Sequence, residues 1–169
     1  MKKYVLLLIM TIGVLVGFVH AQTSTYILLR HAEKDTSAAG ATMMKADPPL
    51  SEQGKQRAEK LVQVLANYTP DEIYSTNYIR TQATVVPLSK KFNKSVELYD
   101  NKNLKGFSEK LLQLKGKTVV VAGHSNTTPR LVNLLIGENR YPDLDELVYD
   151  LLWIVTVAGG KAEVKEVRY

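Results

Sequence analysis

The sequence YILLRHAE, residues 26–33, contains an apolar run that ends at Arg30 and His31. The same pattern returns in TVVVAGHSN, residues 118–126, which ends at His124. Both runs are too short for helices and have the composition of buried strands. Ligands of open α/β sheets bind beyond the carboxyl ends of the strands. We therefore expect the two histidines and Arg30 to line one basic pocket that suits an anion such as phosphate.

The rest of the chain alternates between helical and strand patterns. A polar loop over residues 35–49 leads to an amphipathic helix, for which Ser51 is the expected N-cap. Further strands are expected at 72–75, 96–99, 147–157 and 162–168, and Gly159-Gly160 is expected to join the last two as a hairpin. Further helices are expected at 79–92, 108–114 and from Pro129 onwards. The first of these helices is expected to be interrupted or to end near Pro87, and Thr128 is expected to cap the last one. This order predicts a three-layer α/β fold: a mostly parallel sheet with helices on both faces and a C-terminal antiparallel hairpin.

The cysteine content and the charge of the chain exclude some classes of protein. The chain has 169 residues, no cysteine and a formal net charge of +5, of which Lys2 and Lys3 contribute two positive charges. A disulfide framework is therefore excluded, and residues 22–169 have a normal size for one domain. Because the chain has no arginine-rich arm and no run of like charge, we expect no nucleic-acid partner. The mild basic excess suits a small acidic substrate equally well.

Two further segments have the polar character of the first. STNYIRTQA, residues 75–83, places Arg80 near the start of a predicted helix, where backbone N–H groups favour an anion. Ser125 and Asn126 follow His124 in a polar turn that leads into the next helix. Each feature alone has an ordinary explanation, such as a surface arginine or a capped turn. Their occurrence together in one fold indicates a phosphate site.

These three blocks resemble the signatures of the histidine phosphatase superfamily, also called phosphoglycerate mutase-like. The blocks are RHAE at 30–33, residues 75–83 with RTQA at 80–83, and GHS at 123–125; LSEQG at 50–54, followed by Arg57-Ala58, is similar to the family's first helix. The resemblance covers nearly all of residues 22–169. One departure is Ala32, which stands where glycine is usual in the family.

The resemblance implies a phosphohistidine intermediate, with no metal and no cofactor. It makes His31 the nucleophile, and it makes Arg30, Arg80 and His124 the groups that hold the phosphoryl group and its transition-state charge. Ser125 and Asn126 are expected to bind substrate. Glu33 is also placed among the substrate-binding residues, and we expect it to orient Arg30.

The sequence offers more than one candidate for the acid that protonates the leaving group. In the mutase-like branch an acid lies on the segment after the second strand–helix unit, which here is VELYD, residues 96–100. Asp100 is nearest the expected position, and Glu97 is the alternative. Other family members carry an acid directly after the second histidine, where this chain has Ser125. A solvated surface role for either carboxylate is as good an explanation.

Other functions fit these motifs less well than a phosphatase does. His31-Ala32-Glu33 has the H-x-E form of zinc deaminases, but those enzymes need cysteine ligands that this chain lacks. Ser125 lacks the G-x-S-x-G elbow of serine hydrolases. Within the family, mutase activity and non-catalytic binding of phosphorylated ligands are the alternatives. We expect hydrolysis, because the chain has little material for a cap beyond 35–49 and 101–106. The expected partner is a small phosphorylated substrate or a phosphoprotein.

The first 21 residues predict export. Lys2 and Lys3 precede an almost entirely apolar run, residues 5–19, and VHA at 19–21 has small residues at the positions that a signal peptidase recognises. A membrane anchor is the alternative, but the run is short for a span of about 20 residues. We therefore expect a periplasmic or secreted protein, without stable membrane insertion after cleavage.

We predict that the mature protein begins near Gln22, because cleavage after Ala21 fits the small-residue site. N-terminal sequencing of the protein recovered from the exported fraction checks this. A soluble cytoplasmic product with an intact Met1 end would contradict it.

Overall fold

A six-stranded mixed sheet organises the protein in the computed structural model, which describes residues 22–37 and 47–169. The strands are β1 (Ser24–Arg30), β2 (Glu72–Ser75), β3 (Val96–Leu98), β4 (Thr118–Gly123), β5 (Leu151–Ala158) and β6 (Lys161–Arg168). Their order across the sheet is β3-β2-β4-β1-β5-β6. The first four are parallel to one another, and β5 pairs antiparallel with both β1 and β6. The predicted fold class is confirmed, including the C-terminal hairpin.

Helices cover both faces of the sheet. They are α1 (Glu52–Val64), α2 (Ile79–Phe92), α3 (Leu104–Gln113) and α4 (Thr127–Ile136). Alternate side chains of β1 point to opposite faces, so Ile27 and Leu29 pack in the core with α1 and α2, and Tyr26 and Leu28 pack in the core with α3 and α4. The inner strands β1, β2 and β4 are therefore buried on both sides, as the three-layer prediction requires, while the edge strands β3 and β6 are largely exposed.

Several element boundaries differ from those predicted. Helix α2 continues through Pro87, because the neighbouring Val85 and Leu88 are fully buried and core packing outweighs the cost of the proline. Helix α3 begins at Leu104 rather than at residue 108, since the Asn103 side chain accepts a hydrogen bond from Gly106 N at 3.1 Å. Strand β5 begins at Leu151 rather than at residue 147.

Two smaller differences concern β3 and α4. Strand β3 ends at Leu98, one residue before the predicted end. Helix α4 begins at Thr127, and its N-cap residue is Asn126 rather than the predicted Thr128. The Thr128 hydroxyl donates instead to the Leu29 carbonyl at 3.2 Å, which ties the start of α4 to β1. The predicted Ser51 cap of α1 is confirmed, with Ser51 Oγ 3.1 Å from Gly54 N.

The register of β1 and β4 positions the two histidines. Arg30 pairs with Gly123 across the parallel ladder, and His31 N donates to the Gly123 carbonyl at 2.9 Å. The residues that follow the two strands therefore emerge side by side at one edge of the sheet. His31 and His124 are brought together by this pairing, although 92 residues lie between them in the sequence.

The segment after β1 is held by the start of α1. Ser51 N donates to the Glu33 carbonyl at 2.9 Å, and a Cβ at Gly54 would lie only 2.2 Å from that carbonyl oxygen. Only glycine permits this close approach. On the other side, Ala32 N donates to Thr84 Oγ1 at 2.9 Å. The backbone around His31 is therefore fixed from two helices.

Two predictions fall on residues outside the described part. These predictions are the signal peptide at residues 1–21 and the part of the polar loop at residues 38–46. None of the helices in the described ranges is long and apolar enough to cross a membrane.

Candidate active site

A polar cavity of about 280 Å³ lies at the carboxyl ends of the parallel strands. It is lined by Arg30, His31, Lys34, Tyr78, Arg80, Asn101, His124, Ser125, Asn126 and Glu146. Three of these residues are cationic and one, Glu146, is a carboxylate. The position agrees with the general location of ligand sites in open α/β sheets.

His31 has one ring nitrogen that carries a lone pair towards the cavity side of Arg80. Its Nδ1 lies 2.8 Å from the Ala32 carbonyl, which can only accept, so Nδ1 carries the proton and Nε2 carries the lone pair. Arg80 Nε donates to that Nε2 at 3.2 Å. Burial, together with the charges of Arg80 and Arg30, lowers the pKa of His31 to about 3. The imidazole is therefore neutral at pH 7, as a nucleophile must be.

Arg30 is almost completely buried under the loop that precedes β5. Its Nη1 donates to the carbonyls of Asp145, Glu146 and Val148, each at 3.0 Å, and its Nη2 lies 3.2 Å from Glu146 Oε2. The guanidinium also stacks 4.1 Å from the centre of the Tyr149 ring. Its Nε is buried and has no hydrogen-bond partner in the described part of the chain. Arg30 thus keeps a donor that an anion in the cavity can satisfy.

Arg80 is positioned by Asp47, a residue that the sequence patterns did not identify. Arg80 Nη1 lies 3.0 Å from Asp47 Oδ1, and Asp47 Oδ2 accepts from Ile79 N at 2.8 Å, at the start of α2. The Tyr78 ring lies beneath the Arg80 guanidinium at 4.6 Å. Asp47 therefore occupies donors that otherwise favour a phosphate at this helix N-terminus.

His124 completes the cavity from β4. Its ring centre lies 5.5 Å from that of His31, and its Nε2 lies 3.0 Å from the buried Thr76 Oγ1. Burial lowers its pKa to about 4, and the charges of Arg80 and Arg30 act in the same direction. A neutral His124 can donate one hydrogen bond to a phosphoryl oxygen.

The structure brings together six of the eight predicted site residues: His31, Arg30, Arg80, His124, Ser125 and Asn126. It places Glu33 and Asp100 outside the lining. Both Glu33 oxygens accept from Arg57, at 2.7 to 2.9 Å, so Glu33 anchors α1 and makes no contact with Arg30. This pairing raises the pKa of Arg57. The close approach of α1 to residue 33 brings Arg57, which lies on α1, within hydrogen-bond distance of the Glu33 carboxylate.

Asp100 is exposed, and its Oδ1 accepts from Lys102 N at 2.9 Å. The neighbouring Asn101 lines the cavity instead. The alternative acid, Glu97, accepts from Ser95 Oγ at 3.0 Å and lies in a separate cleft with Glu72 and Lys110. The role of Asp100 as proton donor stays a prediction.

Four lining residues were not found from the sequence: Lys34, Tyr78, Asn101 and Glu146. Tyr78 and Asn101 lie beside segments that the patterns did identify. Glu146 is different, because it lies more than a hundred residues from Arg30 in a loop without motif or periodicity. No signal in one sequence could have assigned it.

A metal site finds no support in the described ranges, which contain no group of three His, Cys, Asp or Glu residues placed to hold an ion. The cavity's positive charge comes from arginine and lysine. Guanidinium groups bind phosphoryl oxygens directly through paired N–H donors.

Comparison with known proteins points to the class that these features define. The family model of the histidine phosphatase superfamily (branch 1) matches residues 26–108. Phosphoserine phosphatase 1 of Hydrogenobacter thermophilus is 39% identical over 70 residues, which is 41% of this chain. The matched region spans only a third of that relative's length.

Solved structures share the fold at low sequence identity. A mycobacterial glucosyl-3-phosphoglycerate phosphatase aligns with a TM-score of 0.69 at 14% identity, covering 86% of this chain and 99% of the other. The phosphoserine phosphatase of Entamoeba histolytica, solved with phosphoserine, aligns with a TM-score of 0.64 at 16% identity, covering 86% and 96%. The family model thus matches just under half of the chain, and the solved structures show that the fold of this chain is shared with known phosphatases.

We predict that neither His31 nor His124 titrates between pH 5 and 8. Their pKa values are lowered from 6.5 to about 3 and about 4. Below pH 6.5 the unfolded chain binds protons that the folded protein does not, so the free energy of unfolding should fall as the pH decreases from 6.5 towards 4.

NMR titration of the ring protons checks this, with signals assigned from His31→Asn and His124→Asn. Each substitution should also flatten the pH dependence of stability, measured by urea unfolding. A ring signal with a midpoint near 6.5 would contradict the burial argument for that histidine.

Proposed function

We propose that the protein is a phosphomonoester hydrolase that acts through a phosphohistidine at His31. The observation that carries this proposal is the hydrogen bond from His31 Nδ1 to the Ala32 carbonyl at 2.8 Å. Because of this hydrogen bond, Nε2 keeps its lone pair, which faces Arg80 in a cavity that has three cationic side chains. A neutral nucleophile among phosphate-binding groups is the arrangement that phosphoryl transfer to nitrogen needs.

In the first half-reaction, substrate phosphate binds between Arg30, Arg80 and His124. The Arg80 guanidinium turns its Nε from His31 to a phosphoryl oxygen, which frees Nε2 for attack. The N–P bond forms as the P–O bond to the leaving group breaks, and the leaving oxygen takes up a proton from the proposed donor, Asp100. In the second half-reaction, water attacks phosphorus, the P–N bond breaks, and its electron pair returns to Nε2.

The cations of the cavity supply the stabilisation that phosphoryl transfer requires. Charge develops on the phosphoryl oxygens, and we expect Arg30, Arg80 and the His124 N–H, which all line the cavity, to bind them. We propose that this set suffices without a metal ion or a cofactor.

Hydrolysis is favoured over mutase activity because a mutase must retain its product until the phosphate returns, which requires a closed site. The sequence has little material for a cap beyond residues 35–49 and 101–106. The substrate belongs to the class of small phosphorylated compounds or phosphoproteins. We also propose export of residues 22–169, on the basis of the N-terminal sequence.

We predict that rapid quenching with ³²P-labelled substrate traps a phosphoenzyme that is labile to acid and stable to base. His31→Ala should abolish both the label and turnover, while a control at an exposed position of α1, Lys60→Ala, should keep both. Activity should persist in a chelator. Full turnover by His31→Ala, or complete loss of activity with a chelator, would overturn the mechanism.

We predict that Asp100→Asn slows hydrolysis of an alkyl phosphate about 100-fold and that of nitrophenyl phosphate much less, because only the poor leaving group needs a proton donor. Glu97→Gln is the matched control, and steady-state kinetics on the two substrates is the measurement. Equal behaviour of Asp100→Asn and the unmodified protein on both substrates would remove Asp100 from the mechanism.

A further inference from the structure

Glu146 is an unusual group for the wall of a phosphate cavity. It is the one carboxylate among the lining residues in the described part of the chain, and its side chain is 69% exposed. A carboxylate repels a phosphate dianion, so its presence works against substrate binding. A residue that weakens binding is expected to contribute at a later step.

Holding Arg30 does not account for Glu146. Arg30 Nη1 is already fixed by three backbone carbonyls at 3.0 Å, and the Tyr149 ring stacks on the guanidinium. The backbone carbonyl of Glu146 is one of those three acceptors, and it remains whatever the side chain is. The side-chain carboxylate therefore adds little to the position of Arg30.

The contacts of the carboxylate place it among the polar groups of the cavity that is proposed to bind the phosphoryl group. Its Oε2 lies 3.2 Å from Arg30 Nη2 and 3.8 Å from Lys34 Nζ, and its Oε1 accepts from Ser125 Oγ at 3.2 Å. Ser125 directly follows His124. The carboxylate of Glu146 therefore lies at the cavity wall between Arg30, Lys34 and Ser125, and a carboxylate is a group that can accept a proton from water.

We propose that Glu146 is the general base of the dephosphorylation half-reaction. This inference rests on the proposed phosphohistidine mechanism and adds the proton acceptor that the mechanism lacks. A phosphoryl oxygen takes the Arg30 Nη2 donor and releases the carboxylate. Glu146 then removes a proton from water as the water oxygen bonds to phosphorus, the P–N bond breaks, and its electron pair returns to His31 Nε2. The proton leaves Glu146 for solvent as phosphate departs.

The test separates the two half-reactions by rapid quench and stopped flow with nitrophenyl phosphate. In Glu146→Gln, nitrophenolate should appear in a burst equal to the enzyme concentration, followed by a slow phase. We expect dephosphorylation to fall about 100-fold, which is typical of a lost general base, while the phosphorylation rate changes by less than about fivefold. Glu138→Gln is the matched control, because Glu138 is in the same loop but pairs with the exposed Arg140. It should give no burst beyond that of the unmodified protein.

Two further readouts distinguish a base from a structural support. Formate should accelerate dephosphorylation of Glu146→Ala in a concentration-dependent way, and Glu146→Asp should recover part of the rate. Inhibition by inorganic phosphate should remain at least as strong in Glu146→Gln as in the unmodified protein, since a repulsive charge has been removed.

Equal slowing of both half-reactions, with weaker phosphate inhibition, would show that Glu146 only supports Arg30 and would overturn the inference. Dephosphorylation at the unmodified rate in Glu146→Gln would also overturn it. Both results leave the proposed function intact, because a phosphoenzyme still forms. If the unmodified protein forms no phosphoenzyme at His31, the proposed function fails, and the inference fails with it.

Discussion

The parallel pairing of β1 with β4 is the constraint on which the site depends. Arg30 lies opposite Gly123, and the backbone N–H of His31 extends the ladder by one hydrogen bond beyond the strand. A shift of one residue in this register would turn alternate side chains to the other face of the sheet and would bury Leu28 and Leu29 in the wrong layers. The hydrophobic pattern that fills the two cores therefore also fixes the distance between the histidines.

Burial of charge is the second feature that shapes the site. Arg30 is 2% exposed, and a buried cation is costly unless its donors are satisfied. Three carbonyls of the loop before β5 satisfy one end of the guanidinium, which requires an irregular loop and explains why β5 begins only at Leu151. The same burial keeps His31 and His124 neutral, so the site combines permanent cations with uncharged histidines.

Both arginines of the cavity have a carboxylate partner within the protein. Asp47 pairs with Arg80, and Glu146 pairs with Arg30. Each pair places a negative charge beside a cation of the cavity. Under the proposed function, a bound phosphate competes with these two carboxylates for the guanidinium donors.

The fold class and the carboxyl ends of β1, β2 and β4 could be predicted from the sequence alone, because hydrophobic periodicity is a local signal. The rule for ligand sites at strand ends then placed His31, Arg30 and His124 in one pocket. Glu146 and Asp47 could not, because they reach the arginines from loops whose path is set by packing and by hydrogen bonds between distant residues. Asp100 and Glu33 had suitable chemistry in suitable segments, but Glu33 turns to Arg57 on α1, and Asp100 turns to the backbone of Lys102. The tertiary structure alone decided which carboxylates line the cavity, since the direction of a loop side chain depends on partners that local sequence does not specify.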